Sequence, residues 1–177
     1  MRAPRSAVTG TLAVLLAIAV LAPGSSGGPP APADPGALDP AAAVTWPPSG
    51  GLLVAEVVTG GASASDEYVE ITNAGPVPLD LAGHEVAYGA ASGATVTRKA
   101  AWTEPLVVEP GRHVLVANAL GIHAAAADAT YSGGLAATGG AIVLRRADGQ
   151  VVDAVGWGDA VSGFVEGAAA PAPPAGS

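Results

Sequence analysis

The chain has 177 residues, of which 50% are hydrophobic, 12% are charged and 4% are aromatic, and it contains no cysteine. This composition suffices for one domain with a core built mainly from Val, Leu and Ile, and it excludes disulfides and a cysteine nucleophile. Seven basic and fifteen acidic residues give a formal net charge of −8, which repels phosphate backbones and disfavours nucleic acid as a partner.

Residues 1–33 have the pattern of a secretory signal peptide. Arg2 and Arg5 precede an uncharged apolar run at residues 12–22, which is shorter than the roughly 20 residues that a membrane-spanning helix needs. We therefore expect cleavage near Ala33 and no membrane span afterwards. The mature protein is then expected to be secreted, extracellular or associated with the cell envelope. The alternative is an uncleaved N-terminal anchor.

Segments rich in Pro, Ala and Gly flank the middle of the chain, at residues 34–50 and 167–177. Such segments bury too little apolar surface to offset the loss of chain entropy, so we expect a disordered linker and a disordered tail. Trp46 is the only large side chain of the linker. It either packs on the edge of the domain or is free to stack on a ligand.

Between these flanks, residues 51–166 alternate short apolar runs with turn residues, which predicts an all-β sandwich of seven or eight strands with almost no helix. The turn sequences Pro110-Gly111 and Asp148-Gly149 predict a type II turn and a hairpin, respectively. A short helix at most is expected within residues 119–129. The predicted strands are residues 52–58, 67–72, 84–88, 95–102, 114–117, 141–146 and 150–155.

Alternation within these runs also predicts which side chains form the core, because every second side chain of a strand lies on the same face. By the same rule, Glu67 and Glu70 lie on opposite faces of the second strand. The predicted core residues are Leu53, Val57, Val69, Ile71, Leu81, Leu115, Ile142, Leu144 and Val155.

Five motifs follow one another in an order that is typical of one family. They are the Gly/Ser loop at residues 60–67, the strand from Glu67 to Asn73, the turn from Leu81 to His84, Pro110-Gly111 and the late hairpin at residues 142–155. In these motifs the chain resembles the lamin tail domain family in its exported bacterial form, over about residues 50–171. The resemblance implies an immunoglobulin-like β-sandwich.

Two departures from the family pattern are visible. His84 stands where similar proteins usually have Trp, which implies a lighter core at that point. Similar proteins also continue past the Ala/Pro-rich segment into a final strand, whereas this chain ends at Ser177. This implies a truncated domain end, and an edge left uncovered would be a site for strand addition.

The residues offer little for catalysis or for a cofactor. His84, His113 and His123 lie in separate elements and lack the convergent spacing of zinc ligands. The sequence also lacks a Gly-x-Ser-x-Gly elbow and a phosphate-binding loop. We therefore predict no enzymatic activity, no cofactor and no metal site.

Two polar groups remain as candidates for binding. Ser63, Ser65, Asp66 and Glu67 are the predicted binding residues, displayed on a loop between two strands. Asp66, Glu67 and Glu70 could together attract Ca²⁺, although the opposite faces of Glu67 and Glu70 favour solvated charges instead. The second group is the pair of dipeptides Arg98-Lys99 and Arg145-Arg146, which could bind an acidic polymer if their strands meet.

Two functions are compatible with these observations. The first is a non-enzymatic exported module for binding, adhesion or structure, whose partner is an unknown protein or polysaccharide at the cell envelope. The second is an accessory domain of a larger exported nuclease or hydrolase, since lamin-tail-like domains often accompany such enzymes. A reading frame that continued past Ser177 into a catalytic domain would favour the second.

Overall fold

The computed structural model describes residues 50–173, which form ten strands and one short 3-10 turn, Ala124–Ala126. The predicted signal peptide and almost all of the predicted linker, including Trp46, lie outside the described residues. The strands are β1 Leu52–Thr59, β2 Glu67–Asn73, β3 Leu79–Asp80, β4 His84–Ala90, β5 Val96–Ala101, β6 Val107–Val108, β7 His113–Asn118, β8 Ala129–Tyr131, β9 Gly139–Arg146 and β10 Val151–Gly158.

Eight of these strands form two four-stranded sheets, in the orders β1-β2-β7-β8 and β10-β9-β4-β5. All neighbours are antiparallel except β7 and β8, and the two-residue strands β3 and β6 pair in a separate ribbon. The sheets pack face to face, with β1 opposite β10 on one side and β5 opposite β8 on the other. The predicted all-β, immunoglobulin-like sandwich is confirmed.

The core lies between the two sheets and consists mostly of branched aliphatic side chains. Val69, Ile71, Leu81, Ile142 and Leu144 were predicted to be core and have no exposed surface. Val57 and Val155 are partly buried against the same cluster. Leu81 lies between β3 and β4, and the other six follow the alternation of inward and outward side chains that a pleated strand imposes.

The prediction that Leu53 and Leu115 belong to the core is wrong. Both are only partly buried, and their neighbours Leu52, Val54, Val114 and Val116 are the buried residues. In β1 the reason is a bulge between Val54 and Glu56, which adds one residue and reverses the alternation before Val57. In β7 every residue from 114 to 117 is apolar, so the sequence contains no polar position to mark the outer face.

Both predicted turns are present. Gly111 has a φ of 72°, in the left-handed region that a type II turn requires at its third position, and Arg112 N–H donates to the Glu109 carbonyl over 3.0 Å. Gly149 has a φ of 92° in the loop that connects β9 and β10. The turns therefore set the strand connections through local backbone chemistry.

The outer face of the second sheet is covered by the chain that follows β10. Phe164 packs against a small cluster formed by Val143, Val151 and Ala154. Further on, Ala170 bridges to Trp157 in the parallel direction. The part of the tail at residues 167–173, expected to be linker-like, therefore lies beside β10. Within residues 50–173, no helix is long and apolar enough to cross a membrane.

Candidate functional site at the loop end

Five connections meet at one end of the sandwich, which we call the loop end. The strand registers place them there: Thr59 is opposite Glu67, and Gly139 is opposite Gly158. Ala90 pairs with Gly140 at the same end. The connections are residues 60–66, 91–95, 119–128, 132–138 and 159–163. The glycine-rich loop with the predicted binding residues Ser63, Ser65 and Asp66 is therefore on the same end of the molecule as the other four connections.

The loop at residues 132–138 is fixed to the first sheet by a buried carboxylate. Glu67 is 2% exposed and begins β2. Its Oε1 accepts a hydrogen bond from Leu135 N–H at 2.7 Å, and its Oε2 accepts one from the Asn118 amide at 2.9 Å. The same amide donates to the Gly133 carbonyl at 3.3 Å. Glu67 therefore holds a loop in place and has no oxygen directed at solvent.

The same loop is fixed to the second sheet at Ala136. The Ala136 N–H donates to the Tyr88 hydroxyl at 3.2 Å, and the Ala136 carbonyl accepts from Trp157 Nε1 at 2.9 Å. The Tyr88 and Trp157 rings lie 6.1 Å apart between centroids. Because both sheets hold it, the loop at residues 132–138 joins the two layers of the sandwich.

Lys99 closes the side of the sandwich where β5 faces β8. Its Nζ lies 4.8 Å from the centroid of the Tyr131 ring and 5.6 Å from that of Tyr88, within the range of cation–π attraction. It also donates to the carbonyls of Ser132 and Gly134 at 3.3 and 3.2 Å. Burial lowers the pKa of Lys99, and the charge of Glu67 opposes that shift.

Of the predicted binding residues, Asp66 and Glu67 are buried and only the two serines reach the surface. Asp66 is 3% exposed; its Oδ2 accepts from Ser63 N–H at 2.8 Å and its Oδ1 from Ile122 N–H at 3.1 Å. Ser63 is exposed and Ser65 is partly exposed. The two carboxylates therefore shape the loop end, whereas Ser63 and Ser65 are available for contact.

Two strongly exposed aliphatic side chains of the loop end were not singled out by the sequence, and Val161 of the same end is also exposed, at 79%. Leu120 is 86% exposed and Ile122 is 74% exposed. Their backbone is held in place: Leu120 N–H donates to Asn118 Oδ1 at 3.1 Å, and Ile122 N–H donates to Asp66. The available signal was two large aliphatic residues in a connection without strand alternation. The connection at residues 119–128 is therefore a loop with a fixed backbone and two apolar side chains in solvent.

The two basic dipeptides do not form a positive patch. Arg145 Nε donates to Glu85 Oε1 at 2.6 Å, and Arg98 Nη1 lies 3.9 Å from Glu85 Oε2. Lys99 is on the other face, over the tyrosine rings. Because adjacent side chains of a strand lie on opposite faces, Lys99 is separated from Arg98. Arg98 and Arg145 remain together, and the carboxylate of Glu85 offsets one of their two positive charges. The arrangement gives no support to binding of an acidic polymer.

Within residues 50–173, no three His, Asp or Glu side chains converge as a metal site would require. His113 Nδ1 contacts Glu70 Oε1 at 2.6 Å on the outer face of the first sheet. His84 is buried near the Leu81 and Ala82 carbonyls, and the His123 ring meets the Tyr68 ring edge-on at 4.8 Å. For the Ca²⁺ candidate, Asp66 and Glu67 already accept hydrogen bonds from their own chain, and Glu70 lies on the opposite face.

These features define a class of protein: an immunoglobulin-like sandwich with loops gathered at one end, whose buried polar groups serve the fold. Residues 46–159 match the Lamin Tail Domain family, and the chain belongs to that family. Lamin tail domains are non-catalytic immunoglobulin-like domains. No curated protein matches the chain significantly.

Proposed function

We propose that the protein is a non-catalytic module that binds a protein or polysaccharide at the cell envelope or outside the cell, and that contact is made through the loop end. The proposal is supported by membership of a non-catalytic domain family and by the signal-peptide pattern of residues 1–33. Export and adhesion are part of the proposal.

The observation that carries the proposal is the exposure of Leu120 and Ile122 on a loop with a fixed backbone. A large aliphatic side chain gains roughly 1.5–3 kcal/mol when it moves from water into an apolar contact. Because the loop's backbone N–H groups already donate to Asn118 Oδ1 and Asp66 Oδ1, little conformational entropy is lost on binding. Ser63 and Ser65 lie beside it and supply hydroxyl groups for a polar rim.

The overall charge indicates the kind of partner. With seven basic and fifteen acidic residues, and with Arg98 and Arg145 sharing Glu85, the domain has little to attract a polyanion. A neutral polysaccharide or an apolar protein surface meets no such repulsion. Binding to such a partner should survive moderate salt, whereas binding to DNA should be weak and salt-sensitive.

The test is a double substitution, Leu120→Ser with Ile122→Ser, measured by co-sedimentation of the purified protein with washed envelopes of the producing cells. We expect the binding constant to fall at least tenfold while the thermal unfolding midpoint is unchanged, because both side chains are already in water. Val77→Ser is the matched control, since Val77 is 56% exposed at the opposite end of the sandwich.

Equal binding by the double variant and the wild type would remove the loop end as the binding surface. Hydrolysis of a phosphodiester, peptide or glycosidic substrate by the purified domain would contradict a non-catalytic role. The accessory-domain alternative predicts that the same loops contact a catalytic domain, so it is separated by a binding assay against that domain.

A further inference from the structure

A cavity of about 170 Å³ lies at the side of the sandwich where β1 faces β10. Val57 and Thr59 line it from β1, Val155 and Trp157 line it from β10, and residues between 170 and 173 line the remaining side. Protein interiors are close-packed and hold few voids larger than a water molecule, so this space is larger than ordinary packing leaves. We call it the edge cavity. Its lining includes no residue of the loop-end connections.

The side chains around the edge cavity favour an apolar occupant. Val57 and Val155 pack against the main core cluster, and the Trp157 indole N–H already donates to the Ala136 carbonyl at 2.9 Å. Among the lining side chains, Thr59 supplies the hydroxyl. A buried water needs roughly two to four polar partners, which these side chains do not provide. A molecule with an apolar ring and one polar group fits the lining better.

The walls of the edge cavity are held in place, so small side-chain movements do not fill it. Ala170 N–H donates to the Gly156 carbonyl and Gly158 N–H donates to the Ala170 carbonyl, both at 2.8 Å. Pro171 and Pro173 also line the cavity, and the ring of each proline fixes its φ. Lining atoms that face an unfilled space lose their dispersion contacts on that side. A ligand that fills the space restores these contacts without a rearrangement of the backbone.

We propose that the edge cavity is a binding site for one small aromatic molecule with a single hydroxyl or N–H group, the chemistry of phenol and indole. An apolar cavity of about 150 Å³ in another protein takes up benzene, so the edge cavity has room for one ring with a polar substituent. The ring packs against Val57, Val155 and Trp157, where contact with the indole adds to the burial of apolar surface. The polar group forms a hydrogen bond with the Thr59 hydroxyl.

The segment that covers the cavity favours a free molecule as the ligand. Ala170 and Pro171 are exposed, and the chain reaches them through Gly167, which has a φ of 70°. Because glycine adopts other backbone conformations equally well, a small displacement at this point can admit a molecule of ring size. An aromatic side chain on a folded partner would instead have to displace the segment and break both backbone hydrogen bonds of Ala170. The site does not depend on the function proposed for the loop end.

The test is isothermal titration of the full chain with phenol and with benzene. We expect a dissociation constant of roughly 1 mM or lower for phenol, which is within the limit for a ligand of this size. Val155→Phe fills the cavity with a ring of its own and should weaken phenol binding at least tenfold. Val77→Phe is the matched control, because it adds the same ring at an exposed position that does not line the cavity. It should bind phenol like the wild type.

A second variant tests the polar contact without filling the cavity. Thr59→Val keeps the shape of the side chain and removes its hydroxyl, so the ratio of phenol affinity to benzene affinity should fall at least threefold. Phenol should also raise the urea midpoint of the wild type relative to that of Val155→Phe, because a ligand stabilises the folded state that binds it. Weaker phenol binding by the wild type, equal binding by Val155→Phe, or an unchanged ratio in Thr59→Val would overturn the proposal. The ratio in Thr59→Val decides the question if Val155→Phe does not fold.

Discussion

The buried carboxylate of Glu67 gives the sharpest test of how the loop end is built. Replacing Glu67 by Ala removes the acceptors of the Leu135 N–H and of the Asn118 amide. Each buried donor left without a partner costs roughly 1–3 kcal/mol. For two donors we therefore expect the free energy of unfolding to fall by about 2–6 kcal/mol, nearer the lower value because the Asn118 amide keeps the Gly133 carbonyl as an acceptor. This is a large part of the roughly 5–15 kcal/mol typical of a domain.

Two further variants calibrate this value. Glu67→Gln keeps the shape and one acceptor oxygen but places an amide NH₂ near a donor, so the expected loss is about 1–3 kcal/mol. Glu70→Ala is the matched control on the same strand. It removes a partly exposed pair with His113, and such pairs contribute only about 0–1 kcal/mol.

The assay is urea unfolding followed by circular dichroism, with the midpoint and the slope fitted separately. A change in midpoint at constant slope reports stability alone. A loss of stability in Glu67→Ala no larger than that in Glu70→Ala would refute a structural role for Glu67. In that case the ligand-binding role that the sequence predicts for Glu67 would stand instead.

Two other polar groups, the buried Tyr131 and the partly buried Asp153, give predictions with a defined sign. The Tyr131 hydroxyl has no hydrogen-bond partner among the described residues, so Tyr131→Phe should leave stability at pH 7 unchanged or raise it by up to about 1 kcal/mol, whereas Tyr88→Phe removes the acceptor of Ala136 N–H and should lower it. Burial, followed by the charge of Glu67, raises the pKa of Tyr131 above 10.0; the unfolded chain loses that proton first, so stability should fall as pH rises past this value, and less steeply in Tyr131→Phe by pH-dependent thermal unfolding. Burial also raises the pKa of Asp153 above 3.8 although the carboxylate accepts from Val54 N–H at 2.7 Å, so the contribution of Asp153 to stability declines as pH rises through the window above 3.8. Asp153→Asn keeps the acceptor oxygen, and its free energy of unfolding should be within about 1 kcal/mol of the wild type at pH 7, because solvent screens part of the burial penalty. Asp153→Ala leaves Val54 N–H without an acceptor and should lose about 1–2 kcal/mol. Equal urea midpoints for the two variants would contradict this.

Features that depend on neighbouring residues could be predicted from the sequence. Val69 and Ile71 are separated by one polar residue, so alternation alone assigns them to the core, and the structure buries both fully. Gly111 and Gly149 follow residues that set the geometry of a turn, and both have positive φ values. The family followed from the order of such local motifs, and the match over residues 46–159 confirms it.

Features that depend on distant residues could not be predicted in this way. Leu53 was assigned to the core because alternation was extended through β1 without the bulge at Val54, and a bulge is decided by the strand that pairs with it. The sequence predicts a disordered tail at residues 167–177, but Ala170 has backbone partners in β10 that the composition of the tail does not reveal.

The sequence by itself determined that this protein is an immunoglobulin-like sandwich, because strand alternation and turn chemistry act within a few residues. The tertiary structure alone decided what the polar groups of the loop end do. The sequence predicts Glu67 to be a binding residue, yet its oxygens accept from donors 51 and 68 positions further along the chain. Those donors lie next to Glu67 only in the folded domain. Because an unpaired buried charge would be too costly, the buried carboxylate must accept these hydrogen bonds, and it therefore has a structural role.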